Sequence, residues 1–379
     1  MRQEARMDLS LLVVVVIVTA LAFDFTNGFH DTANAMATSI ATGALSPRTA
    51  VAVSAVFNLV GAFLSVQVAK TISSGIVDEA RINSAIIFGG LVGAIVWNLL
   101  TWLLGLPSSS SHALFGGLIG ATWIAAGSDA VHFTTVIEKV IVPAVASPII
   151  AGVVATAATF LAYKVTNKAD KTERAKGFKA GQIISASLIS LAHGTNDAQK
   201  TMGVITLTLI AAGTLPSGSN PPLLVILGSG LAISLGTFLG GWRIIRTLGK
   251  GLTEIETTQG FAAEASATAT ILASSQVGFA LSTTHVATGA IIGSGIGKRL
   301  SEVRWGVAGR MAVAWLFTLP AAAVVGAIAG RTASLGNVGT AVVALAAVAV
   351  AVGAYVLSRR QPVSAGNVND MPSSTPPRP

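Results

Sequence analysis

Apolar runs dominate the chain, and polar residues collect in short breaks between them. Leu11–Ala22, Val51–Val66 and Val338–Leu357 approach, with their neighbours, the ~20 residues that a spanning helix needs. The pattern predicts helices over 9–42, about 50–69, about 136–162, 181–212, about 222–242, about 305–330 and 336–358. Two further stretches, 82–128 and Ala265–Gly297, contain no Asp, Glu, Lys or Arg. Each is broken once, at Gly105–His112 and at Leu281–His285, which predicts two helical hairpins. Breaks are also expected within the first and sixth apolar segments, at Asn27-Gly28 and His193-Gly194. The Ser/Pro-rich residues 361–379 read as a disordered tail.

The breaks come in pairs. Asn27-Gly28-Phe29-His30-Asp31-Thr32-Ala33-Asn34 returns about 166 residues later as His193-Gly194-Thr195-Asn196-Asp197-Ala198-Gln199-Lys200. Gly28 then meets Gly194, His30 meets Asn196, and Asp31 meets Asp197. Likewise Ser109-Ser110-Ser111-His112 meets Ser282-Thr283-Thr284-His285, with Gly116 and Gly120 against Gly289 and Gly293. Two paired signals in one order predict an internal repeat: 9–163, then a basic loop at 164–180, then 181–330, followed by an extra helix at 336–358.

Charge gives the orientation. The chain of 379 residues is 52% hydrophobic, 11% charged and carries +8. Lys164, Lys168, Lys171, Arg174, Lys176 and Lys179 crowd one connection. Arg243, Arg246 and Lys250 form a second group, Lys298, Arg299 and Arg304 a third, and Arg359 and Arg360 follow the last apolar run. Juxtamembrane clusters of this kind mark the cytoplasmic side. The N-terminus is then outside, the C-terminus inside, and the two repeats have inverted topology. The expected fold is therefore an all-α polytopic membrane protein built from two inverted repeats with interrupted helices and two helical hairpins. Secondary transporters use this plan, with substrate held near the midplane at the repeat interface. Arg2 and Arg6 before a run ending Ala20-Leu21-Ala22 imitate a cleavable signal, but Glu4 and Asp8 spoil the basic region and the matching second-copy helix is internal. A retained first helix is expected. No nucleic-acid motif accompanies the positive charge, and the absence of cysteine excludes disulfides and thiol catalysis.

The chemistry sits at the breaks. A helix starting after each Ser/Thr cluster offers free amides, hydroxyl caps and a positive dipole end, which make an anion site without a cationic side chain. Ser109, Ser110, Ser111, Ser282, Thr283 and Thr284 are its candidates; the plainer alternative is Ser and Thr packing between helices. An ionised Asp near a bilayer centre costs about 2.5–3.5 kcal/mol on insertion scales, so Asp31 and Asp197 mark a pathway or site. They repel anions; with amide and carbonyl oxygens they suit a hard cation, or they carry a proton. Capping of their own half-helices is the alternative. His30, His112, His193 and His285 are expected to support the breaks by hydrogen bonds, and their spacing makes no dedicated metal motif.

The motifs Asn27–Asn34, His193–Lys200, Ser109–His112, Ser282–His285 and Gln259-Gly260-Phe261-Ala262-Ala263-Glu264 resemble those of the inorganic phosphate transporter (PiT) family, in its bacterial low-affinity permease form. The resemblance covers roughly residues 9–330. The family pattern commonly reads Gly-x-Asn-Asp; His30 takes the Asn place in copy one, and Asn196-Asp197 keeps it in copy two. The resemblance implies a multi-pass protein of the bacterial inner membrane that imports inorganic phosphate by H⁺ or Na⁺ symport through alternating access. It also implies phosphate on the Ser/Thr clusters and coupling ions on Asp31, Asn34, Asn196, Asp197, Gln259 and Glu264, with Lys200 in support. Divalent metal travelling with the phosphate, sulfate as the cargo, and a homodimer stay open at this point. No enzyme activity, resident cofactor or nucleic-acid partner is expected. Adjacent Ser111-His112 makes no nucleophile–base pair, and a passive anion channel has no need of Asp31 and Asp197. Charge accounting favours coupling: phosphate and two carboxylates face one lysine, Lys200, whose counterpart is the neutral Asn34. With His30 beside Asp31, a proton is the favoured ion.

Overall fold

The computed structural model describes residues 10–299 and 303–370. The charged N-terminal residues Arg2, Glu4, Arg6 and Asp8, the stretch 300–302 of the third basic group, and 371–379 of the tail lie outside them. In chain order the helices are α1 (Leu11–Ala41), α2 (Pro47–Gly61), α3 (Gln67–Gly75), α4 (Ser84–Leu104), α5 (Ser110–Ala126), α6 (Phe133–Val136) and α7 (Val142–Val165). The second half gives α8 (Lys171–Ala211), α9 (Leu223–Leu239), α10 (Trp242–Arg246), α11 (Thr257–Gln276), α12 (Thr283–Lys298) and α13 (Trp305–Ala333), and α14 (Asn337–Ser358) follows. Among the described residues only an isolated bridge, Val77 to Val131, is β-like. Five helices are long and apolar enough to cross a membrane, and a sixth span results if α9 and the segment Trp242–Gly251, bent by 61°, are counted as one. Val338, Leu345, Leu316 and Val153 point outward and stay exposed, as lipid-facing side chains do.

α1 and α8 are the hub. Nearly every residue from Phe23 to Ile40 is buried, and so is nearly every one from Ile189 to Leu209. Both helices run unbroken through the expected interruptions at Asn27-Gly28 and His193-Gly194. The glycines serve close approach instead. A Cβ on Gly28 would stand 2.2 Å from the Ile233 carbonyl of α9, and one on Gly194 2.2 Å from the Asn58 carbonyl of α2. Nearby carbonyls accept bonds from the helix's own side chains: Thr32 Oγ1 donates to Gly28 O at 2.6 Å, and Thr195 Oγ1 to Leu191 O at 2.7 Å.

The crossings repeat in register. Gly61 meets Leu191 O as Gly236 meets Phe25 O; Gly116 and Gly120 meet Leu319 O and Ala323 O as Gly289 and Gly293 meet Pro148 O and Gly152 O. The contacts are reciprocal: α2 packs on α8 as α9 does on α1, and α5 on α13 as α12 does on α7.

Both expected hairpins form. α4 ends on Gly105 at φ 65° and α5 begins at Ser110; α11 runs into Gly278 at φ 73° and α12 begins at Thr283. Three local expectations change. The helix expected over about 50–69 is two, α2 ending at Gly61 and α3 starting at Gln67. The basic stretch 164–180 is mostly helix, because Asp170 accepts from the Glu173 amide at 2.8 Å and starts α8 at Lys171. Residues 361–370 are not a free tail. Arg243 holds the carbonyls of Ser358 and Gln361, Arg246 holds Asn367 O at 2.8 Å, and Val368 is buried. The same end collects Lys250 on Ala41 O at 3.0 Å, with Lys171 and Lys298 on Glu256 at 3.0 and 3.3 Å. Partial burial works against the Glu256 charge, but Tyr163, Lys171 and Lys298 outweigh it and hold the carboxyl down at about 2.

Candidate functional site

The two acids meet at the centre of the molecule. Asp31 and Asp197 stand at equivalent turns of α1 and α8, and Thr283 Oγ1 lies within 3.5 Å of an Asp31 oxygen and 3.3 Å of an Asp197 oxygen. Asp31 also accepts from Ser110 Oγ at 2.8 Å and Thr284 Oγ1 at 3.4 Å, and touches His30 Nδ1 at 2.6 Å. His30 Nε2 reaches Thr101 Oγ1 at 3.0 Å. Asp197 has Lys200 Nζ at 2.5 Å, His193 Nε2 at 3.3 Å and Asn27 Nδ2 at 3.4 Å. His193 Nδ1 is fixed by Asn58 Oδ1 at 3.0 Å.

The starts of α5 and α12 face each other beside these acids. Ser109 Oγ accepts from the His112 amide at 3.1 Å, and Ser282 Oγ from the His285 amide at 3.2 Å. These two hydroxyls are therefore engaged as caps. The next amides along, at Ser110-Ser111 and Thr283-Thr284, are the orphan donors of a helix start. Ser111 Oγ donates to Leu281 O at 3.1 Å, and Thr284 Oγ1 to Ser108 O at 2.9 Å, so each helix start is tied to the other's preceding strand of backbone. His112 and His285 lie ring to ring at 4.9 Å, with Trp315 on His285 at 4.1 Å; they brace the paired starts from behind.

Asn34 and Asn196 belong to the cluster's edge. Asn34 Nδ2 donates to Thr284 Oγ1 at 3.0 Å, and Asn196 Nδ2 to Ser275 Oγ at 2.9 Å. The side-chain oxygens of both, and that of Asn27, are buried without a donor. Such orphan acceptors suit a cation. So does a convergence no spacing in the sequence reveals: ligand atoms of Asp31, His193 and Asp197 lie within 4.8 Å of one another.

Two expected members stand apart. Gln259 closes a capping box with Glu256 at the start of α11, its Oε1 accepting from the Glu256 amide at 3.0 Å. Glu264 lies in a second polar cluster, accepting from Thr38 Oγ1, from Ser185 Oγ at 2.5 Å and from Gln182 Nε2 at 3.5 Å. A cavity of about 10 Å³ lined by Asn34, Thr38 and Glu264 joins that cluster to the centre and has room for about one water.

Asp24 lies outside both motifs yet belongs to the site. It is fully buried, with Thr201 and Asn27 at its carboxylate and Asp197 and Lys200 nearby. The signal was a lone acid in an apolar run, which alone marks function in a membrane helix.

Known proteins resemble the chain over most of its length. A family model described as "Phosphate transporter family" matches residues 27–326. A Mycobacterium tuberculosis protein named "Probable low-affinity inorganic phosphate transporter" is 57% identical over 367 residues, 96% of this chain and 88% of that protein. A Bacillus subtilis protein of the same name is 44% identical, over 85% of this chain and 97% of its own. The solved structure titled "The sodium-dependent phosphate transporter" shares the fold, with a TM-score of 0.76 at 24% identity, over 86% of this chain and all of that one. These relatives are transporters and not enzymes, and this multi-pass membrane chain belongs to the phosphate transporter family.

Proposed function

We propose that the chain imports inorganic phosphate by symport, through alternating access of two inverted repeats. The observation that carries this reading is the sharing of donors: Ser110, Thr283 and Thr284 hydroxyls, at two facing helix starts, lie on the carboxylates of Asp31 and Asp197. Phosphate and the carboxylates compete for one set of donors. An anion takes them only when a cation or proton neutralises the acids, so cargo and coupling ion arrive together. His30 on Asp31 favours H⁺. The reciprocal crossings and the Ser111–Leu281 and Thr284–Ser108 ties support the inverted repeats.

Proteoliposomes given Na⁺ and pH gradients separately test this. Labelled phosphate should accumulate, driven by the pH gradient and outcompeting sulfate. Ser110→Ala and Thr283→Ala should weaken phosphate affinity about 10- to 150-fold, the worth of one hydrogen bond to a charged group. Flux indifferent to both gradients would make the protein a passive channel, and preferential sulfate uptake would change the cargo. A second reading, phosphate carried with a divalent metal, draws on the Asp31–His193–Asp197 convergence. It expects radioactive Mg²⁺ or Zn²⁺ to enter in step with phosphate.

Orientation follows from the basic end. With Lys164–Lys179 cytoplasmic, the loop around Ser219 is external. A single cysteine at Ser219, in this cysteine-free chain, should react with an impermeant thiol reagent added to whole cells. Reaction only in inverted vesicles would turn the protein over.

A further inference from the structure

The two halves of the site share their caps, ties and crossings. Ser109 and Ser282 are equivalent caps, Ser111 and Thr284 equivalent ties, Gly28 and Gly194 equivalent crossings. Asn34 and Lys200 hold equivalent positions, each three residues past its Asp on an unbroken helix, and there the halves differ by a charge. Asn34 points its amide to Thr283 and Thr284 and leaves Asp31 to hydroxyls and His30. Lys200 instead sets its ammonium 2.5 Å from Asp197.

Lys200 is fully buried, and it is the only lysine among the buried polar side chains of the described residues. A buried ammonium persists only with a carboxylate partner.

We infer that Lys200 is a tethered counter-cation. Its ammonium takes, at Asp197, the part that a co-transported cation plays at Asp31. The second half of the site then works without a mobile cation of its own. This chain moves one cation fewer per phosphate than a site with a neutral residue at position 200. The inference rests on the phosphate-symport reading and adds the count of ions to it.

The decisive protein is Lys200→Asn, which gives the position the residue of its counterpart Asn34 and removes one positive charge from the cluster. Lys200→Gln, which preserves side-chain length, accompanies it. In proteoliposomes, phosphate uptake is recorded against Na⁺ at fixed pH and against pH at fixed Na⁺, with the current per phosphate. Lys200→Asn should need one more cation: its Hill coefficient for the driving ion rises by about one, and the charge moved per phosphate rises with it. The same Hill coefficient and the same charge as the natural chain would overturn the inference. A folded variant that moves no phosphate is read by binding to the purified protein. There Na⁺ or Li⁺ should tighten phosphate binding tenfold or more relative to its effect on the natural chain, and no such gain also overturns it. A merely structural Lys200 would show itself in Lys200→Gln as a lower melting temperature with an unchanged cation requirement. A natural chain that accumulates no phosphate under either gradient defeats the symport reading instead, and the binding comparison still decides the role of Lys200.

Discussion

Asp31→Asn and Asp197→Asn are each expected to abolish phosphate accumulation, and for different reasons. The amide keeps the shape of the carboxylate and removes its charge. At Asp31 the loss falls on coupling: Ser110, Thr283 and Thr284 keep an acceptor oxygen, His30 loses its anion, and no cation or proton has a reason to enter. Phosphate binding and exchange should survive in part, and the protein should stay folded. At Asp197 the change also leaves the Lys200 ammonium buried without its partner at 2.5 Å. Removing one member of a buried pair costs about 3–5 kcal/mol, so Asp197→Asn should lower the melting temperature in detergent where Asp31→Asn does not. Uptake against a phosphate gradient, steady-state exchange and thermal stability, measured side by side, separate these effects. If both variants concentrate phosphate as the natural chain does, these carboxylates are not the coupling groups.

Some of this was legible in the sequence because it rests on local rules. Spans declare themselves by unbroken hydropathy, and the first hairpin break by Gly105 and Pro107 beside a hydroxyl run; the second lies earlier than Leu281–His285, between Gln276 and Thr283. The pairing of the two Asp motifs was visible as repetition. What the sequence hid was tertiary. Gln259 has the look of a site amide, yet its partner is the backbone of Glu256 three residues away. The basic connection reads as a loop by charge, while Asp170 and Glu173 already spell a helix start within it. Val368 is buried although it lies in a segment rich in Ser, Pro and Asn, because Arg243 and Arg246 hold the surrounding carbonyls. Asp24 and Asn58 become part of the site only when α1 and α2 of one half meet α8 of the other, and Thr101 only when α4 packs on α1.

The glycines of the two Asp motifs show how the same residue supports opposite readings. A Gly beside polar residues in an apolar run suggests a broken helix, and replacing it by Ala should then straighten and stabilise the segment. In a helix interior Ala is favoured over Gly by about 1 kcal/mol. Here Gly28 and Gly194 lie inside continuous helices, with backbone carbonyls of α9 and α2 2.2 Å from where a Cβ would be. No side chain can turn aside to make room, so the helices must separate, and overpacking of this kind costs typically about 1–3 kcal/mol. The steric cost outweighs the propensity gain. Gly28→Ala and Gly194→Ala should both lower the melting temperature and impair uptake, since Asp31 and Asp197 follow three residues later and move with the crossing. Gly177, helical on α8 with nothing within 4 Å of its would-be Cβ, provides the contrast. Gly177→Ala should match or exceed the natural protein in stability, with uptake unchanged. A rise in melting temperature for Gly28→Ala equal to that for Gly177→Ala would show that the helices do not cross in contact there, and that the glycine is kept for flexibility after all.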